Sequence, residues 1–225
     1  MMQTDVGQPP SQRSIEARLF YAKVTEHLFI GFRRKRMKQF LAQFSLSAST
    51  RVLDIGGTPQ TWNREAGTCA PECVVLANIR TVDEDPTGRC IAMYGDATAL
   101  PFADGSFDLV FSNSVIEHVG TWEKQKAFAR EARRVAPQLW IQTPARSFPI
   151  EAHLLAPFIQ YLPKGVQRRL ARWTPRGLLQ PAVAREVVEE VRLLSYREFK
   201  LLFPDCLILK ERFFGMTKSY IAVRR

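Results

Sequence analysis

Five short apolar runs constrain this chain more than any other feature. They are "RVLDI" (51–55), "CVVLANI" (73–79), "CIAM" (90–93), "FDLVFS" (107–112) and "QLWIQT" (138–143). Each is continuous rather than alternating, which is the pattern of strands buried on both faces of a parallel sheet. Between the fourth and fifth lies "TWEKQKAFAREARRVA", whose spacing predicts a helix from Thr121 with Phe128, Ala129, Ala132 and Val135 on one side. Strands alternating with helical segments define an α/β, doubly wound, mainly parallel sheet. Two further strand-like runs, "CLILKERFF" and "KSYIAVRR", are joined around "GMT" and close the chain as an antiparallel C-terminal hairpin, for seven strands in all. Ser195 and Glu198 have capping-box spacing, so a helix is expected to start there.

The flanks differ in character. Residues 14–44 read as two helices broken near Gly31, with Ile15, Leu19, Ala22 and Leu28 at helical spacing. They make residues 1–44 an N-terminal helical arm on a domain spanning 45–225. Residues 144–181 hold six prolines and no strand signal, so a lid insertion is expected at about 144–190. With 46% hydrophobic residues in 225, the chain can bury one substantial core. It shows no signal peptide and no membrane-spanning run, which implies a cytoplasmic location. Cys69, Cys73, Cys90 and Cys206 suit that compartment as reduced thiols. The pair Cys69 and Cys73 lacks a second pair or nearby histidines, so no metal site is expected.

The net charge of +10 is unevenly placed. One block is "RRKRMK" (33–38); another comprises Lys164, Arg168, Arg169, Arg172, Arg176 and Arg185, with no acidic residue from 152 to 185. Such fields attract phosphates on nucleic acid, lipid headgroups or sugar nucleotides, or serve as a solubilising face. In "HLLAPFIQYLPKGVQRRLARW" the apolar Leu154, Leu155, Phe158, Ile159, Tyr161 and Leu162 precede the arginines. That order suits a lid on a greasy acceptor, peripheral docking at an anionic membrane, or a helix packed on the sheet with a solvated basic face.

In open α/β sheets ligands bind outside the carboxyl ends of the strands. The first strand ends in Asp54-Ile55-Gly56-Gly57-Thr58, where glycines allow close backbone approach and positive φ. Asp54 can accept from a ligand ammonium or act through the loop. Asn78 ends the second strand, 24 positions beyond Asp54, near where nucleotide folds contact ribose hydroxyls. The loop "GDATALPF" offers Asp96 and the Ala97 N–H to an adenine edge, and "SNSVIEHV" brings Asn113, Ser114, Glu117 and His118. Asp108 reads as structural and Trp62 as core.

"VLDIGGTPQTW", "GDATALPFADGSFDLVFSNSVIEHV" and "RVAPQLWIQTPARSFPIEAH" resemble class I S-adenosylmethionine-dependent methyltransferases, in the branch with the type 11 motif. The resemblance covers about residues 45–160 and is most specific from Gly95 to Val119. It implies a Rossmann-like methyltransferase sheet and S-adenosylmethionine as cofactor. It places the methionine end at Asp54, Gly56, Gly57 and Thr58, ribose at Asn78, adenine at Asp96 and Ala97, and the methionine amino group near Asn113. The first loop departs from the family's D-x-G-x-G-x-G, and is read as a trait of a subset carrying "GGT", a later aromatic (Trp62) and Asn on the second strand. Of the three histidines, His153 and His118 are the catalytic candidates, as base or acceptor-orienting groups, with a structural role as the alternative for each. Arg146 could orient an anionic acceptor. The leading expectation is O-methylation of a small molecule, a sugar or glycolipid, or a lipid-like metabolite. A nucleic-acid (tRNA) methyltransferase and a non-catalytic cofactor-binding protein are the alternatives. The nucleic-acid reading is disfavoured because the basic blocks lack interleaved aromatics.

Overall fold

A computed structural model describes residues 31–66, 71, 73–79 and 81–225. Seven strands form one sheet in the order β3-β2-β1-β4-β5-β9-β8. They are β1 (Val52–Ile55), β2 (Val74–Asn78), β3 (Cys90–Tyr94), β4 (Leu109–Asn113), β5 (Gln138–Pro144), β8 (Leu207–Phe213) and β9 (Met216–Arg224). The first five are mutually parallel; β9 runs antiparallel to β5 and pairs with β8 as the terminal hairpin. Strand order therefore reverses between β1 and β4, the switch point at which such sheets open a crevice.

Period-two alternation sends each strand's side chains to two separate cores. Leu53, Ile55, Val110, Leu139, Ile141 and Ala222 pack on one face against α2 (Trp122–Val135) and α6 (Tyr196–Leu202). Val52, Leu76, Leu109, Phe111, Trp140 and Ile221 pack on the other against α1, helical over residues 31–43. Phe40 of α1 meets the rings of Phe111 at 4.8 Å and Trp140 at 5.6 Å. The last third of the expected arm is thus built into the core. Its expected start before residue 31, with Ile15, Leu19, Ala22 and Leu28, lies outside the described residues, as does Cys69.

Local chemistry explains the element ends. Thr121 caps α2 by accepting from the Lys124 N–H, and the Ser195–Glu198 capping box opens α6. Pro59 sits in the first turn of a helical stretch over 59–66, where its missing N–H costs nothing. Between β2 and β3 the described residues contain no helix, unlike the alternation expected. There Asp85 accepts from Asn63, from the Thr87 N–H and from the Cys90 N–H, which fixes a turn in a charged, Pro- and Gly-containing stretch.

The segment after β5 also departs from expectation. It holds a two-residue-per-strand hairpin, β6 (Ile150–Glu151) with β7 (Ala156–Pro157), where no strand signal was legible. Three helices follow: α3 (Lys164–Ala171), α4 (Pro175–Leu179) and α5 (Pro181–Glu190). Leu154, Ala156, Ile159, Ala171, Ala184 and Val188 form a small core of their own there. The basic helix packs on its lid neighbours rather than on the sheet.

Candidate active site

The end of β1 is shaped by one buried carboxyl. Asp54 is fully enclosed and accepts from the Trp62 indole N–H at 2.8 Å. Burial pushes its carboxyl up to about 8, against the opposing pull of that hydrogen bond. A Cβ at Gly57 would lie 1.9 Å from Asp54 Oδ2, so the loop backbone rests directly on the carboxyl. At Gly56 the φ of +74° and a Cβ position 2.5 Å from the Val115 side chain impose a second, independent need for glycine. Of the two roles open to Asp54, the structure provides support of the loop from beneath. Trp62 is core, as expected, and also the partner of Asp54. Thr58 is exposed beyond the glycines.

The neighbouring tips are tied to this loop. Gly56 N donates to Ala77 O (2.8 Å), Gly95 N to Asn78 O (3.0 Å) and Ser112 Oγ to Ile55 O (3.0 Å). Asn78 ends β2 with its Nδ2 3.5 Å from Gly57 O. Asp96 is exposed and holds Thr98 N and Oγ1, each at 2.8 Å; these bonds lower its pKa and fix the turn carrying the buried Ala97. Glu131 accepts from Leu100 N while Arg134 donates to Leu100 O and Phe102 O, so α2 pins the far side of the same loop. At the end of β4, Asn113 Oδ1 is buried with no protein partner. Asp54, Gly56, Gly57, Thr58, Asn78, Asp96, Ala97 and Asn113 thus stand on or just beyond adjacent strand ends at one edge of the sheet. Asp108 is remote from them, paired with Arg51 at 2.7 Å.

Beyond Asn113 the chain takes a left-handed step at Ser114 (φ 54°) and turns through Ile116–His118. Glu117 is fully buried, accepts from Thr143 Oγ1 at 3.0 Å through Oε2, and leaves Oε1 without a partner. Burial raises its pKa. His153, at the tip of the β6–β7 hairpin, places Nδ1 2.6 Å from Glu151 Oε1. Burial alone would lower this imidazole, but the Glu151 bond and charge, with Glu117 behind them, hold it above its ordinary value. His118 and His153 meet edge to face, ring centroids 4.7 Å apart. The two catalytic candidates therefore form one cluster with two glutamates.

A cavity of about 570 Å³ adjoins this cluster, lined on different sides by Gly120, Arg146, Glu151, Leu154, Lys164 and Arg192. Arg146 is among the residues lining this cavity. Three contributors were not singled out in the sequence. Glu151 ends β6 and lies two residues from His153 in the hairpin turn, a contact that the turn makes and strand periodicity does not signal. Gln125 is a polar residue on the apolar face of α2, and its Nε2 donates to Ile116 O (3.0 Å) and Arg192 O (2.9 Å). Arg192 N donates to Glu117 O at 2.8 Å, a tertiary contact with no local signal.

This sheet order, with the loops at the β1/β4 switch, defines the class I methyltransferase fold. Within it, residues 68–138 match the family model of the methyltransferase domain. No curated protein matches the sequence. Solved structures of the same fold include a Haloferax volcanii protein described as a methyltransferase, in complex with the Trm112 methyltransferase activator (12% identity, 96% of this chain and 98% of that one, TM-score 0.55). A SAM-dependent methyltransferase from Thermotoga maritima matches at 14% identity over 93% and 98% of the two chains, TM-score 0.55. The N-terminal domain of EvdMO1, solved in the presence of SAH and D-fucose, matches at 17% identity over 86% and 82%, TM-score 0.54.

Proposed function

We propose that the protein transfers the methyl group of S-adenosylmethionine to an oxygen of a small or lipid-linked acceptor that enters beneath the lid. The observation carrying this reading is the presence of two features. The Gly56–Gly57 loop and the unpartnered Asn113 Oδ1 stand together at the β1/β4 switch, and a separate 570 Å³ cavity is lined by Glu151, the carboxylate that holds His153. At the switch the Gly56–Gly57 backbone takes the methionine end, Asn78 the ribose, and Asp96 with the Ala97 N–H the adenine. Asn113 Oδ1 is an acceptor suited to the methionine ammonium. The transfer is an in-line displacement: the acceptor oxygen forms the O–CH₃ bond as the CH₃–S bond breaks, the sulfonium becomes a neutral thioether, and the hydroxyl proton is released to water. The chain's part is alignment and exclusion of water.

The acceptor side is built by the lid. Val166 and Leu170 of α3, and Trp173 in the turn that follows it, are exposed apolar side chains (40%, 42% and 67% exposed). Arg168, Arg169, Arg172 and Arg185 line a second hollow beside them, of about 410 Å³. Exposed apolar side chains flanked by cations suit an anionic bilayer surface, which favours a lipid-linked acceptor. No described helix is long and apolar enough to cross a membrane.

Isothermal titration with S-adenosylhomocysteine tests the donor half, with binding expected in the micromolar range on the order of 1–100 μM. Absence of heat at millimolar ligand would remove it. His153→Ala is expected to lower turnover roughly 100-fold while leaving that affinity intact; unchanged turnover removes His153 from the reaction.

A further inference from the structure

The geometry points to a divalent transition-metal site formed by Glu117, His118 and His153. One ligand atom from each of these three residues lies within 4.8 Å of the others. Two imidazoles and a carboxylate are a donor set for Zn²⁺, Mn²⁺, Fe²⁺ or Co²⁺ with open positions, and are poorly matched to all-oxygen cations such as Ca²⁺.

Two independent features aim these groups at a common point. Glu117 is fully buried, and with Oε2 engaged by Thr143 its Oε1 has no protein partner. A buried carboxyl oxygen left unpaired is destabilising unless something binds it. His153 has Nδ1 engaged by Glu151 at 2.6 Å, which leaves Nε2 as the ligating nitrogen. A carboxylate on the far nitrogen is the arrangement that orients metal-binding histidines and raises their basicity. Glu151 is fixed in turn, its Oε2 accepting from Leu154 N at 2.6 Å. Around an ion at about 2.1 Å from each ligand, donor atoms sit roughly 3.4 Å apart, so closure of about an ångström is needed. His118 is exposed and can supply much of it. The charges of Arg36 and Arg176 also act on Glu117 and His153; the carboxylates of Glu117 and Glu151 face the cluster against them.

The site's binding of a metal stands on these contacts alone, while its use rests on the methyl-transfer reading. Glu151, which holds His153, lines the lid cavity, so an acceptor reaching the ion from that side would present two neighbouring oxygens, as a vicinal diol or a hydroxy acid does. Coordination makes the acceptor hydroxyl a stronger acid, and its proton passes to water at the exposed His118 side before the oxygen takes the methyl group.

Co²⁺ titrated into the untagged full chain provides the test, read by its visible d–d absorption. One ion per chain is expected, with affinity falling at least tenfold in His118→Ala, His153→Ala and Glu117→Gln, and roughly 10- to 100-fold in Glu151→Gln. His27→Ala, altering the chain's third histidine, should leave the spectrum unchanged. His118→Ala is the decisive variant because an exposed side chain is not needed for folding. Absence of bands with excess Co²⁺, or bands indifferent to His118→Ala and His153→Ala, overturns the site. S-adenosylhomocysteine titrated into the same samples separates the two failures. Its binding without a Co²⁺ site overturns only this inference, and a Co²⁺ site without its binding overturns only the proposed function.

Discussion

Asp54 is where a single residue governs the donor loop. Its carboxyl, raised from 3.8 to about 8, stays protonated in the fold through a range in which the unfolded chain has released the proton. The folded state therefore holds the extra proton, and stability falls as pH rises from about 4 to about 8. Asp54→Asn keeps an acceptor for Trp62 without the ionisation, so thermal melts across that interval should lose this slope, and the variant should outlast the wild type at the alkaline end. An unaltered slope would mean that Asp54 does not carry it. Gly57→Ala forces a Cβ onto the Asp54 carboxyl and is expected to cost about 2–4 kcal/mol, read by denaturant unfolding, and to weaken S-adenosylhomocysteine binding. The need for glycine at 56 and 57 was legible in the sequence. The reason was not, because it depends on Val115 and a buried side chain meeting the loop from below.

Among the elements, legibility followed the kind of partner each one packs on. Phe128, Ala129, Ala132 and Val135 of α2 are all buried, as their spacing implied, because a helix on a sheet shows a clean apolar stripe. The lid gave no such pattern: α3, α4 and α5 bury only a few residues each against one another, and their apolar residues are divided between that small core and the surface. Val166, Leu170 and Trp173 belong to the exposed share. Flotation with anionic liposomes is expected to carry the protein, and Trp173→Ala with Leu170→Ala should reduce the bound fraction severalfold, since each buried CH₂ contributes about 0.8 kcal/mol. High salt should weaken binding without abolishing it. Retention of tRNA in gel shifts, with no flotation, would instead assign the arginines to nucleic acid.

At the scale of the molecule, the sheet is packed on both faces, with a separate hydrophobic core on each. Phe40 touches Phe44, Trp62, Phe111 and Trp140, so Phe40→Ala should cost about 3–5 kcal/mol in urea unfolding, although it sits far outside the family-matched region of 68–138. That Phe40 would be so buried could not be read from a segment also carrying "RRKRMK"; α1 is amphipathic only in relation to a sheet face assembled from distant strands. One of the seams joining the lid to the rest of the molecule runs through Arg192. Arg192, just past α5, gives its N–H to Glu117 O, reaches Gln125 Oε1 at 2.5 Å and pairs with Glu198. With the proposed acceptor under the lid and the donor at the β1/β4 edge, this contact would link the two, and any factor by which one altered the other's affinity would be returned in equal measure.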